Sequence, residues 1–513
     1  MPIRAIEQAH NQSIAFGREF MMEKTNSKVF KIFVLGVLCV VALWASFTFC
    51  LTLQRGWFFA NQRSDRLDFA AYNLAGQILH SKEANKLYDY KFQEQKFKEL
   101  YAASKDINKK TYKKTFEQKF LNQQDKQFLA KPELNHIYFY NSPNSLWLVY
   151  LLSSFDIGFA WFLINVISVF LLGLAVYLAF KDVFKNNFRS QTFWVFLLGL
   201  VSLIPLRQAL FQGQFSLLVA LSFFYYFYFA SKQKYLWAGF ALSVALLKIH
   251  IGLPLLVVVL LFGDFKSSLY AFGFTLVSLG FAYLWIGSEG FVNYFQTFQQ
   301  LLLPMNNDWY VPELATNNQW AESIKGQILL WFGDSTLSGV FVTCFIGFCL
   351  LLIFVILIKS GWLVLGAYRQ PLTTPLSGNY PRTPEFSDGT SGQCALREQV
   401  PDGTFRLLKI QSLYFCLINL FLFLSFPYLN EHDYCLLISL VLIYVYADPE
   451  SAGKIVNWFS FGFTLPVLLA YSFLGSYQLV NGYKIHLIFV LALVLAVYLL
   501  FTNKMVGKQS RNG

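Results

Sequence analysis

The chain has 513 residues, of which 56% are hydrophobic, 19% aromatic and only 14% charged, with a formal net charge of +12. A soluble domain is about a quarter charged, so this composition, with a mean hydropathy of +0.44, excludes an ordinary soluble fold and implies an all-α polytopic membrane protein. The positive charge reads as cytoplasmic loops facing anionic lipid rather than a nucleic-acid surface, because no nucleic-acid motif accompanies it.

Residues 1–28 form a basic tail carrying Arg4, Arg18, Lys24 and Lys28. The first apolar run, 29–52, lacks a small-residue cleavage site and predicts an uncleaved helix. Further apolar runs at 157–180, 192–206, 215–230, 236–247, 251–262, 267–287, 337–359, 408–426, 433–447, 455–476 and 484–502 predict about twelve transmembrane helices within a domain over 29–502. Residues 237–263, WAGFALSVALLKIHIGLPLLVVVLLFG, read as two helices meeting at a polar turn. The basic loops 180–189, 231–234 and 263–266, the 368–407 linker and the 503–513 tail all fall on the cytoplasmic side if the N-terminus is inside. The polar loops RSDRLDF, RQALFQGQ, NNQWAES and PYLNEHDY then share the outer face.

The first outer loop, 53–156, holds an expected amphipathic helix within 91–120, lying on the membrane or capping a cavity. It also holds SLWLVYLLS (145–153), which follows Pro143, is too short to span, and reads as interfacial or re-entrant. Residues 371–405 are rich in Pro, Gly, Ser and Thr and read as a flexible linker. The seven cysteines form no CxxC pattern, so neither a disulfide framework nor a structural zinc site is expected. No internal repeat is visible, which argues against an inverted-repeat transporter.

Four polar clusters converge on the predicted outer face. In RSDRLDFAAY (63–72), Asp65 and Asp68 are flanked by Arg63 and Arg66. If a helix starts after Asp68, the carboxylate is a good N-terminal cap. Facing a partly dry cavity, it is instead a general base for a hydroxyl. In PLRQALFQGQFSLL (205–218), Arg207, Gln212 and Gln214 surround Gly213. The stretch is either a hairpin between helices or a site for phosphate and sugar hydroxyls. In LLKIHIGLP (246–254), Lys248 and His250 stand in apolar sequence. Such a lysine either snorkels to the interface or marks a site for an anion. The last cluster joins Asn318 and Gln319 of NNQWAES with Glu431, His432 and Asp433 of FPYLNEHDYC. One histidine with adjacent carboxylates is too few ligands for a metal, and no catalytic triad spacing, P-loop or dinucleotide fingerprint occurs.

The order DFAAYNLAGQIL, PNSLWLVYLL, RQALFQGQFSLL, AGFALSVALLKIHIGLPLL, NNQWAESIKGQI and FPYLNEHDY resembles glycosyltransferase family 87 over about residues 30–500. These are GT-C membrane enzymes similar to polyprenol-phosphate-mannose-dependent mannosyltransferases. The resemblance implies a GT-C-type bundle with short extracytoplasmic helices, and a hexosyltransferase moving a sugar from a polyprenyl-phosphate donor to a lipid-linked or cell-envelope glycan. It maps the base onto Asp68, with Asp65 as the second candidate. It maps the family's Gly-Gln segment onto Gly213 and Gln214, its lysine-bearing helix break onto Lys248, and its late histidine onto His432. Two features depart from the family: a single proline, Pro143, where consecutive prolines are usual, and the 371–405 insert. The reaction implied is a single displacement at C1 with inversion, with Asp68 accepting the proton and Arg207, Lys248 and His432 offsetting phosphate charge. Arg66, Gln212, Gln214, His250, Asn318, Gln319 and Glu431 complete the expected substrate-binding set. No metal is required, although a divalent cation is compatible. The expected location is the bacterial inner membrane with the site on the extracytoplasmic side. The competing readings are an oligosaccharide or O-antigen ligase and a glycolipid flippase.

Overall fold

The computed structural model of the protein describes residues 36, 39–57, 60, 68–102, 139, 141–185, 190–261, 263–302, 336–368, 402–425, 431–449 and 452–468. Among the described residues every regular element is helical and there is no strand. The chain divides into two compact units, residues 1–51 and 52–513. In the first, the described part is the opening of helix α1 (Cys39–Trp57). There the Thr48 hydroxyl donates to the Trp44 and Ala45 carbonyls, which satisfies a polar group inside an apolar helix.

The second unit contains α2 (Phe69–Leu79), α3 (Tyr90–Ala102), α4 (Leu146–Ser153), α5 (Ile157–Lys185), α6 (Ser190–Ser202), α7 (Ile204–Gln212), α8 (Ser216–Ser231), α9 (Tyr235–Ala245), α10 (Ile249–Leu261), α11 (Phe265–Leu302), α12 (Thr336–Tyr368), α13 (Asp402–Ser425), α14 (Leu436–Ala447) and α15 (Ala452–Asn457). Four helical stretches are long and apolar enough to cross a membrane: Cys39–Trp57, Ile157–Lys181, Phe265–Thr297 and Gly339–Ile356. The pair Gln191–Ser202 and Ile204–Gln212, bent by 53°, makes a fifth if taken as one span.

Among the described residues the apolar runs are helical, but only four or five stretches are by themselves long and apolar enough to cross a membrane. Helices α8, α9 and α10 have 16, 11 and 13 residues. At about 1.5 Å per residue each falls short of a bilayer core of about 30 Å. The run expected at 455–476 is interrupted by a π-helical turn, Trp458–Thr464, and the one at 484–502 lies outside the described residues. So does the 371–405 linker.

The expected amphipathic segment appears as α3 up to Ala102, the rest lying outside the described residues. Its buried face is Gln93 and Phe97, one helical turn apart, whereas Leu100 is exposed. Gln93 donates to the carbonyls of Leu87 and Phe139 and accepts from the Phe139 amide. The helix is thus pinned to protein through a fully bonded amide. The short apolar stretch after Pro143 is α4, which packs on α2 where Gly76 meets Ser153 and Val149.

The polar turn expected within 237–263 is present between α9 and α10. The Ile251 and Gly252 amides donate to the Lys248 carbonyl, and α10 folds back so closely that a β-carbon on Gly252 would strike the Ala245 carbonyl. Rigid backbone on both sides leaves no room to yield. Gly252→Ala is expected to lower stability by about 1–3 kcal/mol, read as a lower melting temperature of the purified full chain in detergent. An unchanged melting temperature would show that the turn is looser than this packing implies.

Candidate functional site

Asp68 precedes α2 at the position of a helix cap, but its side chain makes no capping hydrogen bond. Its Oδ2 instead accepts from Gln214 Nε2 at 2.6 Å, while its backbone amide donates to Gln212 Oε1 at 2.9 Å. The capping alternative left open by the sequence is therefore not the one realised. Gln214 Oε1 also accepts from the Tyr72 hydroxyl at 2.7 Å, which fixes the amide so that its NH2 faces Asp68. The Tyr72 ring in turn stacks on Phe215 at 4.3 Å.

Two glutamines two residues apart reach one aspartate because α7 ends at a left-handed residue. Gly213 has φ +67°, and the Gln214 amide donates back to the Ala209 carbonyl, a helix stop that glycine favours. A β-carbon on Gly213 would also lie 2.7 Å from Trp161 and 3.0 Å from Phe69. Trp161 Nε1 and Asn165 Nδ2, from α5, donate to the Phe211 and Leu210 carbonyls exposed at this stop. At the other end of α7, Arg207 is buried and donates through Nε and Nη2 to the Val201 carbonyl. That carbonyl is one freed by the bend between α6 and α7.

The second half of the site is an ion pair. Lys248 Nζ lies 2.8 Å from Asp433 Oδ1 and donates to Ser216 Oγ at 2.6 Å. Ser216 Oγ donates to the same Asp433 oxygen at 3.2 Å. The lysine and aspartate side chains are only 5% and 1% exposed. The other carboxylate oxygen, Oδ2, is 3.9 Å from His250 Nε2, and His250 also lines an apolar cleft with Phe223, Pro254, Asn419 and Phe423. Lys248 therefore does not snorkel; it is held inside by a carboxylate from a turn 185 residues away in the chain.

The two halves are joined through residues 213–216. Gln214 serves Asp68 and Ser216 serves the ion pair, and both stand at the start of α8. They also act on each other electrostatically. Burial pushes the Asp68 pKa above its ordinary 3.8; the Gln214 hydrogen bond and the Lys248 charge pull it down, and the Asp433 charge pushes it up. The balance leaves it raised.

Of the residues expected at the site, the structure gathers Asp68, Gln212, Gln214, Lys248 and His250 in one region. Arg207 supports the backbone of the same α7. Glu431 and His432 lie in the 3-10 turn Glu431–Cys435, which packs on α7 and α8, and their side chains are outside the described residues. Arg66, Asn318 and Gln319 are outside the described residues altogether, as is Asp65. Sequence reasoning passed over Ser216, Tyr72 and Trp161 and did not select Asp433 from its cluster. The signal for Asp433 was available, since a lysine that cannot reach water requires a buried carboxylate partner.

Residues 139–373 match the sequence model of glycosyltransferase family 87. No curated protein and no solved structure matches the chain. The family resemblance drawn from the ordered motifs thus holds over this segment, which includes Gln212, Gln214, Lys248 and His250, and the membrane-length helices agree with it. Asp68 and Asp433 lie on either side of the matched segment and are tied to it by the hydrogen bonds above.

Removing one partner of a buried ion pair strands the other charge, which costs about 3–5 kcal/mol. Asp433→Asn is expected to destabilise the protein by about that amount, and Lys248→Met with Asp433→Leu together by much less, since a well-packed apolar replacement is often near neutral. Thermal unfolding of the three proteins in one detergent measures this. Equal melting of Asp433→Asn and the wild type would mean that the pair is not load-carrying in solution.

Proposed function

Starting from this family-87 membrane glycosyltransferase segment, we propose that the protein transfers a sugar, mannose or another hexose or pentose, from a polyprenyl-phosphate donor to a lipid-linked or cell-envelope glycan. Asp68 acts as the general base. The observation that carries this reading is the state of the Asp68 carboxylate: it is not used as a helix cap, it is oriented by a fixed amide, and its proton affinity is raised. A raised pKa makes the ionised carboxylate a better proton acceptor. The acceptor hydroxyl attacks C1, the bond from C1 to the phosphate oxygen breaks, the hydroxyl proton passes to Asp68, and the sugar inverts.

In this mechanism Gln214 holds the base in line and Gln212 fixes the start of α2. Lys248 acts through its field, because its direct contacts are already made to Asp433 and Ser216. His250, at the cleft edge beside Asp433, has the proposed role of meeting the charge of the departing phosphate. Arg66, Asn318, Gln319, Glu431 and His432 remain in the proposed substrate set, and the proposal requires no metal ion. The shorter apolar helices would complete a GT-C-type bundle of about twelve crossings in the bacterial inner membrane, with the site on the extracytoplasmic side.

The test is purified protein in detergent with a panel of polyprenyl-monophosphate sugars and, separately, diphosphate-linked glycans. Consumption of a monophosphate donor supports the proposal; consumption of only a diphosphate-linked glycan replaces it with a ligase. Asp68→Asn is expected to reduce turnover roughly 10²–10⁴-fold, and turnover undiminished in that variant would remove the base assignment.

The acid limb of the pH–rate profile should lie above the ordinary aspartate value of 3.8. Activity is lost as pH falls through the raised pKa, because the protonated carboxyl cannot accept the hydroxyl proton. Gln214→Ala, which removes a hydrogen bond favouring the ionised form, should move that limb to still higher pH. A limb that stays in place would separate Gln214 from the titrating group.

A further inference from the structure

A second polar cluster is built at the far end of α8, one 16-residue helix away from Ser216. Tyr228 is buried there with two ammonium groups over its ring: Lys232 Nζ at 4.5 Å from the ring centre and Lys181 Nζ at 5.9 Å. Lys232 also donates to the Tyr228 hydroxyl at 2.9 Å. From α14, Tyr446 packs edge-on to Tyr228 at 5.3 Å and shares a hydrogen bond of 3.2 Å with Ser231. Three helices, α5, α8 and α14, thus converge two cations, two phenols and a hydroxyl.

The arrangement is constructed rather than incidental. The chain leaves α8 through Gln233, the one non-glycine residue with positive φ (57°) among the described residues. The Lys232, Gln233 and Lys234 amides close back on the Phe229 and Ala230 carbonyls. This tight turn sets the exposed Lys232 side chain beside the Tyr228 ring. Two ammonium groups at one ring concentrate positive charge that an anion can meet. Among the described residues, the groups acting on Lys232 are Tyr228, Tyr446 and Lys181, and none is a carboxylate. Lys181 is also the last residue of the membrane-length stretch Ile157–Lys181; a bilayer centred on that stretch puts the cluster at headgroup depth, where basic pockets between helices meet anionic lipid.

We propose that Lys181, Lys232, Tyr228 and Tyr446 form a binding site for the phosphate of an anionic phospholipid headgroup, separate from the Asp68 site. The ammonium groups bind the phosphate oxygens, and the exposed apolar face of α5, with Phe170, Leu174 and Tyr177, meets the acyl chains. The site is independent of the sugar-transfer reading.

The test is native mass spectrometry of the full chain taken from phosphatidylglycerol nanodiscs, from phosphatidylcholine nanodiscs, and from phosphatidylglycerol nanodiscs washed with excess inorganic phosphate. The wild type should retain phosphatidylglycerol over phosphatidylcholine, and Lys181→Gln with Lys232→Gln should retain roughly tenfold less. Displacement by inorganic phosphate would show that the site takes the phosphate group whatever carries it; resistance would show that the lipid's acyl chains contribute. Both support the site. Equal retention by the wild type and the double variant, or no preference for phosphatidylglycerol over phosphatidylcholine, would overturn it. Tyr228→Phe keeps the ring and removes only the hydroxyl that Lys232 contacts. It should fall between the two, and it tests the proposal if the double variant does not fold.

Discussion

The contact on which the rest of the site depends is Lys248 to Asp433. Neither charge is tolerable alone in an apolar interior, where desolvation of a single ion costs several kcal/mol even after relaxation. Both side chains are almost wholly removed from solvent, so the break between α9 and α10 and the turn before α14 must arrive together. Ser216, which bonds both partners, adds the start of α8 to the same requirement. A cluster of apolar surfaces could pack in several registers with similar energy. This three-way polar contact is satisfied in one of them, and Gln214, two residues before Ser216, is carried into place against Asp68.

The polar groups come from interruptions in apolar helices. Irregular backbone at membrane depth is tolerated only where its freed amides and carbonyls find partners inside the protein. Each interruption here is met in that way. Arg207 takes the Val201 carbonyl at the bend between α6 and α7, and Trp161 and Asn165 take the carbonyls at the Gly213 stop. Gly252 lets α10 close on Ala245 at the Lys248 turn. The same interruptions that shorten α7, α9 and α10 below membrane-crossing length therefore expose side chains toward one another. The shortness of these helices and the presence of a site have a common cause.

This explains what could be read from the sequence and what could not. Apolar runs foretell helices well, because burying the backbone in an apolar setting demands helix, and the break at LKIHIG was visible because lysine in such a run is so unfavourable. The number of crossings is harder to read, because hydropathy does not distinguish a helix that spans from a shorter one packed beside it. The role of Asp68 was undecided between cap and base for a physical reason. Local sequence favours the cap, and only a glutamine 146 positions away in the chain, delivered by Gly213, redirects the carboxylate. Asp433 was obscured by its neighbours: in Glu431-His432-Asp433 three titratable residues are adjacent, and local sequence does not single out the one that meets Lys248.

The site's electrostatics follow from the same connections. Asp68 is influenced by a lysine that lowers its pKa and an aspartate that raises it, and those two are paired with each other. A nearly neutral pair exerts a weaker field at a distance than either member alone, so burial is left as the leading influence on Asp68 and the carboxylate stays raised. The Asp433 charge offsets part of the downward pull that Lys248 exerts on Asp68. Pairing Lys248 with Asp433 therefore does more than hold three segments together. Under the proposed transfer the Asp433 charge also tempers the effect of the nearby cation on the base, and the same carboxylate has its second oxygen 3.9 Å from His250 at the cleft edge.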